Sequence, residues 1–328
     1  MIRPVSPDPG PRLGPGPEFD RIREIARILG PRARGLGDDC ALLPDGDGAL
    51  AVSTDVSVEG VHFRLDWITP AEAGWRATSA ALSDLAAEGA GPIGVLSAIT
   101  VPQRAADGDL LALSEGIGAA AAAAGAPVVG GDLSTGAAWS IGVTVIGRAS
   151  RPVTRAGARP GDGLWVTGVL GGARAALEAW RRGDTPRADA RRAFAHPEPR
   201  IAAGRWLSEH GARAMLDLSD GLAGDAGHLA AASNLRVDLA LDAVPVAPAA
   251  IAEAERLDLP VQQFAAEGGE DYELLVALPP EFGAADVLEF ERDCRVALTR
   301  VGSAARGSGV RVKLAGRSLT LRGYDHFR

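Results

Sequence analysis

At 328 residues the chain is long enough for one large or two medium domains. Its 34 Lys plus Arg stand against 42 Asp plus Glu, and the net charge of −8 argues against a nucleic-acid-binding surface. Two cysteines, Cys40 and Cys294, make neither a disulfide framework nor a zinc site, and apolar runs such as Ala119–Ala124 are too short to span a membrane, so a reduced cytoplasmic setting is expected.

Residues 1–17 are rich in Pro and Gly, lack an apolar signal core, and are expected to be a disordered extension. Phe19–Leu29 has the helical period, with Phe19, Ile22, Ala26 and Leu29 on one face and Gly30 as a stop. Ala49–Thr54 reads as a strand that ends on Asp55. Thr69-Pro70-Ala71-Glu72 is a capping box with Pro at the first helical position. The helix it opens runs to about Glu88 and stops at Gly89. Asp84 lies inside that Ala- and Leu-rich helix and must face something polar. Ile93–Val101 is strand-like, Leu110–Ala124 is helical, and Val128–Val129 leads into Gly130-Gly131-Asp132. Trp139–Gly147 alternates as a further strand.

The Pro-, Gly- and charge-rich stretch Arg148–Asp162 is the expected boundary between domains at 18–150 and 151–328. Beyond it, Leu164–Thr167, Ala214–Leu216, Val237–Leu241, Tyr272–Leu278, Val296–Gly302, Val310–Leu314 and Ser318–Leu321 read as strands. Ala173–Arg181 and Gly221–Ser233 read as helices. Interleaved helices and strands predict an α/β or α+β domain pair with mixed sheets flanked by helices.

The chemistry is concentrated in aspartates. They recur in Gly37-Asp38-Asp39, Ser53-Thr54-Asp55, Ser83-Asp84, Gly130-Gly131-Asp132 and Asp217-Leu218-Ser219-Asp220-Gly221, with Gly268-Gly269-Glu270-Asp271 as a further acidic stretch. Any one of these could simply start a turn or cap a helix. Gathered together, carboxylates repel unless a cation sits between them, and hard oxygen ligands favour Mg²⁺ or Mn²⁺. Magnesium in turn shares its shell with phosphate oxygens, which points to a nucleotide. The only lysine is Lys313, so neither a P-loop nor the protein-kinase lysine exists, and metal ions with arginine must supply the positive charge. Gly168-Val169-Leu170-Gly171-Gly172 could cradle phosphate as a glycine-rich turn. His62, His196 and His228 read as structural by default.

In this order the motifs resemble the thiamine-monophosphate kinase family of the aminoimidazole ribonucleotide synthetase-like superfamily. The resemblance runs from Gly35-Leu36-Gly37-Asp38-Asp39-Cys40 and Val58-Glu59-Gly60-Val61-His62-Phe63 to Gly323-Tyr324-Asp325-His326-Phe327, nearly the whole chain. It implies a two-domain fold, a homodimer built through N-terminal strands, and transfer of the ATP γ-phosphate to thiamine monophosphate. It implies Mg²⁺ ions held by Asp38, Ser53, Thr54, Asp55, Asp84, Asp132, Asp217 and Asp220, with Asp55, Asp132 and Asp220 at the reaction centre. Gly131, Asp132, Arg155 and Ser219 match nucleotide contacts, and His62, Glu270 and Tyr324 match thiamine-monophosphate contacts. The alternatives are another ATP-dependent enzyme of the superfamily and a non-catalytic nucleotide or metal sensor. The N-terminal extension lacks the Cys and Lys of a selenophosphate synthetase, and the C-terminus lacks the Cys of a carbamoyl dehydratase.

Overall fold

The computed structural model describes residues 14–29 and 37–321. Of the extension expected over residues 1–17, all but 14–17 lies outside the described residues, and Pro17 begins the first helix, α1 (Pro17–Leu29). The first half of the chain supplies β1 (Ala41–Asp45), β2 (Gly48–Val58), α2 (Pro70–Ala87), β3 (Gly91–Pro102), α3 (Asp107–Ala123), β4 (Val128–Gly136) and β5 (Ser140–Ala149). These strands form one sheet in the order β1-β2-β5-β3-β4. The second half supplies β6 (Gly163–Thr167), α4 (Gly172–Arg181), α5 (Ala188–Ala195), α6 (Ile201–Glu209), β7 (Ala214–Asp217), α7 (Leu222–Ala232) and β8 (Arg236–Ala240). It continues with α8 (Pro248–Arg256), α9 (Val261–Ala266), β9 (Leu274–Leu278), α10 (Ala284–Cys294), β10 (Leu298–Ala305), β11 (Gly309–Leu314) and β12 (Arg317–Leu319). Its sheet runs β12-β11-β8-β10-β6-β9-β7. Both sheets are mixed, with β3–β4 and β8–β11 parallel and the other pairs antiparallel.

The helix α2 joins the halves. The predicted capping box is present, with the Thr69 hydroxyl accepting from the Glu72 N–H and the Glu72 carboxylate accepting from the Thr69 N–H at 2.8 Å. One flank of α2 meets α3 through two glycines. A Cβ on Gly74 would lie 2.1 Å from the Leu113 carbonyl, and one on Gly116 would lie 1.9 Å from that of Ala71. The C-terminal end of α2 meets α6 in the same way, because a Cβ on Gly204 would lie 1.9 Å from the Ala86 carbonyl. Leu82, Leu85 and Ala81 are fully buried between the sheet and these helices. Gly116→Ala is therefore expected to cost about 1–3 kcal/mol through overpacking. Thermal melting checks this, and an unchanged midpoint would mean that α3 can move away from α2.

The first sheet has two unlike faces. Ala51, Val95, Ile141, Val143 and Val145 point to α2 and α3 and are buried, whereas Val56 on the other face is 52% exposed. The edge strand β4 is exposed along nearly its whole length, including Val128, Val129 and Leu133. Two strands run further than the sequence pattern predicts. Asp55 and Asp132 lie inside β2 and β4 instead of at their ends, because ladder pairing with β5 and β3 continues past both aspartates, to Val58 and Gly136.

Candidate active site

Three segments bring carboxylates to one place. Asp39 comes from the loop before β1, Asp84 from the last turns of α2, and Asp217 from the end of β7, and their oxygens lie within 4.8 Å of one another. Asp38 and Asp55 line the same cavity, whose volume is about 1400 Å³. Ser53 donates its hydroxyl to Asp84 at 2.5 Å. The cavity lies between the two halves of the chain. Ser219, Asp220, His62 and Glu270 line it, as do Trp67 and Trp180, whose rings stack at 5.3 Å, and Phe19 from α1.

Arg155 is the cation of the acidic floor. It forks onto Asp39 with both contacts at 2.9 Å, and its backbone N–H donates to Asp38 at 2.9 Å. One guanidinium does not balance the carboxylates around it. Burial and the neighbouring Asp39 push Asp55 up to about 6. Burial, then Asp39, push Asp217 up to about 8, against the Arg155 charge. Asp84 is raised well above the usual carboxylate range by burial and by Asp55, Asp217 and Asp39. A floor of hard oxygen donors that cannot all carry charge unaided fits divalent metal ions.

Two loops hold the far side. The Glu270 N–H donates to the Ser219 carbonyl at 2.8 Å and the Tyr272 N–H to the Leu218 carbonyl at 2.9 Å, so the Asp217–Gly221 and Gly268–Tyr272 segments are zipped together. Glu270 (φ 66°) and Tyr272 (φ 52°) are both held in the left-handed region, a conformation costly for such residues and frequent at functional sites. The Glu270 carboxylate is ion-paired with Arg76, which is 3% exposed and lies 3.8 Å over the Phe194 ring. The Nδ1 atom of His62 accepts the Val58 N–H at 3.0 Å, so Nε2 carries the proton of the neutral ring. Gly221, not Ser219 or Asp220, is the N-cap of α7, which leaves both side chains to the cavity.

Thus Asp38, Ser53, Thr54, Asp55, Asp84, Arg155, Asp217, Ser219, Asp220, His62 and Glu270 all line one cavity. Gly131 and Asp132 do not. Asp55 pairs with Val143, Val143 with Ser97 and Ser97 with Gly131, whereas Asp132 pairs with Ala98 on the opposite face of the sheet. Thr54 and Val56 share that outer face and still line the cavity rim, so it is the three strand spacings between β2 and β4, about 14 Å, that keep Gly131 and Asp132 out of it. Tyr324 lies outside the described residues. The glycine-rich turn at 168–172 is not a free phosphate cradle, because the Asp271 carboxylate accepts the Gly171 N–H at 2.9 Å.

Four residues beyond the predicted set belong to the acidic clusters. Asp39 is the central carboxylate, visible as the second member of the Asp38-Asp39 pair. Asp225 and His228 form a further cluster with Asp220 one turn into α7; their i, i+3 spacing was the available signal. Glu88, the C-cap of α2, is fully buried beside Asp38 and Asp39. Burial and these two aspartates push its carboxyl up to about 10. It had read only as a helix stop.

Comparison with known proteins agrees with this architecture. The family model "AIR synthase related protein, N-terminal domain" matches residues 37–149, and "AIR synthase related protein, C-terminal domain" matches residues 159–315. The thiamine-monophosphate kinase of Halobacterium salinarum is 37% identical over 307 residues, covering 93% of this chain and 99% of that protein. The one from Mycobacterium tuberculosis is 36% identical over 271 residues, 80% of each chain. A solved structure described as "AaThiL complexed with AMPPCP and TMP" superposes with a TM-score of 0.85 at 30% identity, over 95% of this chain and 97% of that one. The hydrogenase maturation protein HypE, at 21% identity and a TM-score of 0.69 over 91% of this chain and 90% of that one, shares the fold. With its two halves matched in order and its full length paralleled by such relatives, the chain belongs to the thiamine-monophosphate kinase family of AIR synthase related proteins.

Proposed function

We propose that the chain phosphorylates thiamine monophosphate with ATP, giving thiamine diphosphate by direct transfer of the γ-phosphate. The observation that carries this reading is the convergence of Asp39, Asp55, Asp84 and Asp217, from both halves of the chain, on one cavity floor where, among the described residues, Arg155 is the one arginine paired with them. Mg²⁺ held by Asp38, Ser53, Asp55, Asp84 and Asp217 would supply the positive charge that two approaching polyanions require.

The chain's own groups do the rest. Asp39 fixes Arg155 at the floor, and the zipped loop offers Ser219 and Asp220 to the nucleotide side. The attacking group is a phosphate oxygen already ionised at neutral pH, so no strong general base is needed. His62 presents Nε2–H, and the Trp67–Trp180 stack supplies aromatic surface for the heterocycle of the substrate. Glu270 contributes negative charge towards the cationic thiazolium, shared with Arg76. Tyr324 joins it in this reading. Glu270→Gln is expected to raise KM for thiamine monophosphate about tenfold with kcat nearly unchanged, the signature of lost uniform binding. It should also lower the melting midpoint, because Arg76 loses its partner. An unaltered KM would remove Glu270 from the substrate site.

The working unit in this reading is a homodimer. The outer face of the first sheet exposes Val56 and the edge strand β4 exposes Val129 and Leu133, a surface of the kind a second copy covers. Gly131 and Asp132 then serve the site of the other copy, where Thr54 emerges on the same outer face. A reducing compartment suits the free thiols of Cys40 and Cys294, and among the described residues no helix is long and apolar enough to cross a membrane. Incubation with ATP, MgCl₂ and thiamine monophosphate, read by chromatography, tests the function. Metal-dependent thiamine diphosphate is the expected product. ATP binding without turnover would move the search to another substrate or to a sensor.

A further inference from the structure

We propose that Glu88, together with Asp38 and Asp39, holds a divalent cation behind the cavity floor, an ion that organises the aspartates without touching either substrate. The proposal rests on the metal reading above and adds to it a site that its ligand set does not include.

Glu88 is the C-cap of α2 and is 0% exposed. Neither of its carboxylate oxygens has a hydrogen-bond partner of ordinary geometry among the described residues. The Cys40 N–H lies near it and favours its charged form. One Glu88 oxygen lies with oxygens of Asp38 and Asp39 so that all three are within 4.8 Å of one another. Opposite oxygens of a cation shell are separated by about 4–5 Å, given metal–oxygen distances of roughly 2.1–2.5 Å. The three oxygens therefore already have the span of a coordination sphere.

The charge around Glu88 demands such an ion. Arg155 gives its guanidinium chiefly to both oxygens of Asp39, with one nitrogen 4.0 Å from an Asp38 oxygen, and its backbone N–H donates to Asp38. Among the described residues no cation is paired with Glu88, which feels the Arg155 charge only from beyond the aspartates, and the carbonyl end of α2 adds to the negative potential there. Asp38, Asp39, Asp84 and Asp217 line the cavity, but Glu88 does not, so its cation would lie on the closed side of the floor. Asp39 belongs both to this group and to the group with Asp84 and Asp217, and would be shared between an inner ion and the ions that meet substrate. The competing arrangement is a carboxylic acid proton shared between Glu88 and one aspartate.

Manganese binding to the full-length, metal-stripped protein decides between them. Free Mn²⁺ is counted by electron paramagnetic resonance in the parent, in Glu88→Gln and in Asp55→Asn. Glu88→Gln is expected to lose one Mn²⁺, or to weaken one class of site at least about tenfold. Its melting midpoint should rise less than the parent's on addition of MgCl₂, and in EDTA it should melt no lower than the parent. An unchanged Mn²⁺ count, with Asp55→Asn still losing an ion, overturns the inner site while the kinase reading stands. A Glu88→Gln variant that melts lower in EDTA and binds Mn²⁺ as the parent does establishes the shared proton and also overturns it. A parent that binds no Mn²⁺ removes the whole metal reading.

Discussion

In metal-free buffer at pH 8, Asp217→Asn is expected to melt above the parent chain, and with Mg²⁺ and ATP it is expected to turn over about 10²–10³-fold more slowly. The two effects share one cause. Asp217 is 5% exposed, and burial with Asp39 beside it raises its carboxyl from 3.8 to about 8. A carboxylate raised in the folded state binds its proton more tightly there than in the unfolded chain. Its contribution to stability is complete below about pH 4 and is lost as pH rises through about 8. Asp55, raised to about 6, loses its contribution over the lower part of the same range. The metal-free parent should therefore become less stable between pH 4 and pH 8, while Asp217→Asn should show a shallower decline. Saturating Mg²⁺ should flatten the decline of the parent, since an ion bound only to the folded state adds stability by mass action. Melting curves across that range, with EDTA and then with MgCl₂, measure all of this. A parent whose midpoint rises with pH in EDTA would contradict it.

Mixing two inactive variants is expected to restore turnover. Asp55→Asn and Asp132→Asn should each be nearly inactive alone. Co-refolded in equal amounts, they should recover about a quarter of parental activity if each site of a two-fold dimer draws these residues from different copies. Half of randomly formed dimers are mixed, and each mixed dimer has one site with both aspartates intact. The register of the first sheet puts Asp55 with Val143 on the inner face and Asp132 with Ala98 on the outer face. Within one chain no rotamer carries Asp132 through the sheet to the floor. Absence of recovery, with dimers present by light scattering, would confine Asp132 to its own protomer.

The sequence disclosed most of the floor because its signals are local. A capping box starts α2 and thereby sets which turn carries Asp84, and the apolar run Ala214-Met215-Leu216 delivers Asp217. What it concealed was non-local. Gly130-Gly131-Asp132 has no alternation from which to read a face, and a shift of one residue in register reverses every side chain of a strand. The turn at 168–172 looked open to phosphate because Asp271, which fills it, is 100 residues further along. Glu88 looked like punctuation after an alanine-rich helix, since nothing near it in the sequence announces that Asp38 and Asp39 lie against it.

The glycine contacts of α2 bear on how the enzyme meets its substrates. Gly74, Gly116 and Gly204 bring three backbones together with no side chain between them to act as a bearing. Such a seam has no hinge, so the two halves should not swing shut over nucleotide as two-lobed kinases do. Shielding from water then falls to small parts at the rim of the cavity, such as α1, which contributes Glu18, Phe19, Ile22 and Ile25 and has no buried residue of its own. Small-angle scattering should accordingly give the same radius of gyration with and without ATP, while amide exchange slows along α1.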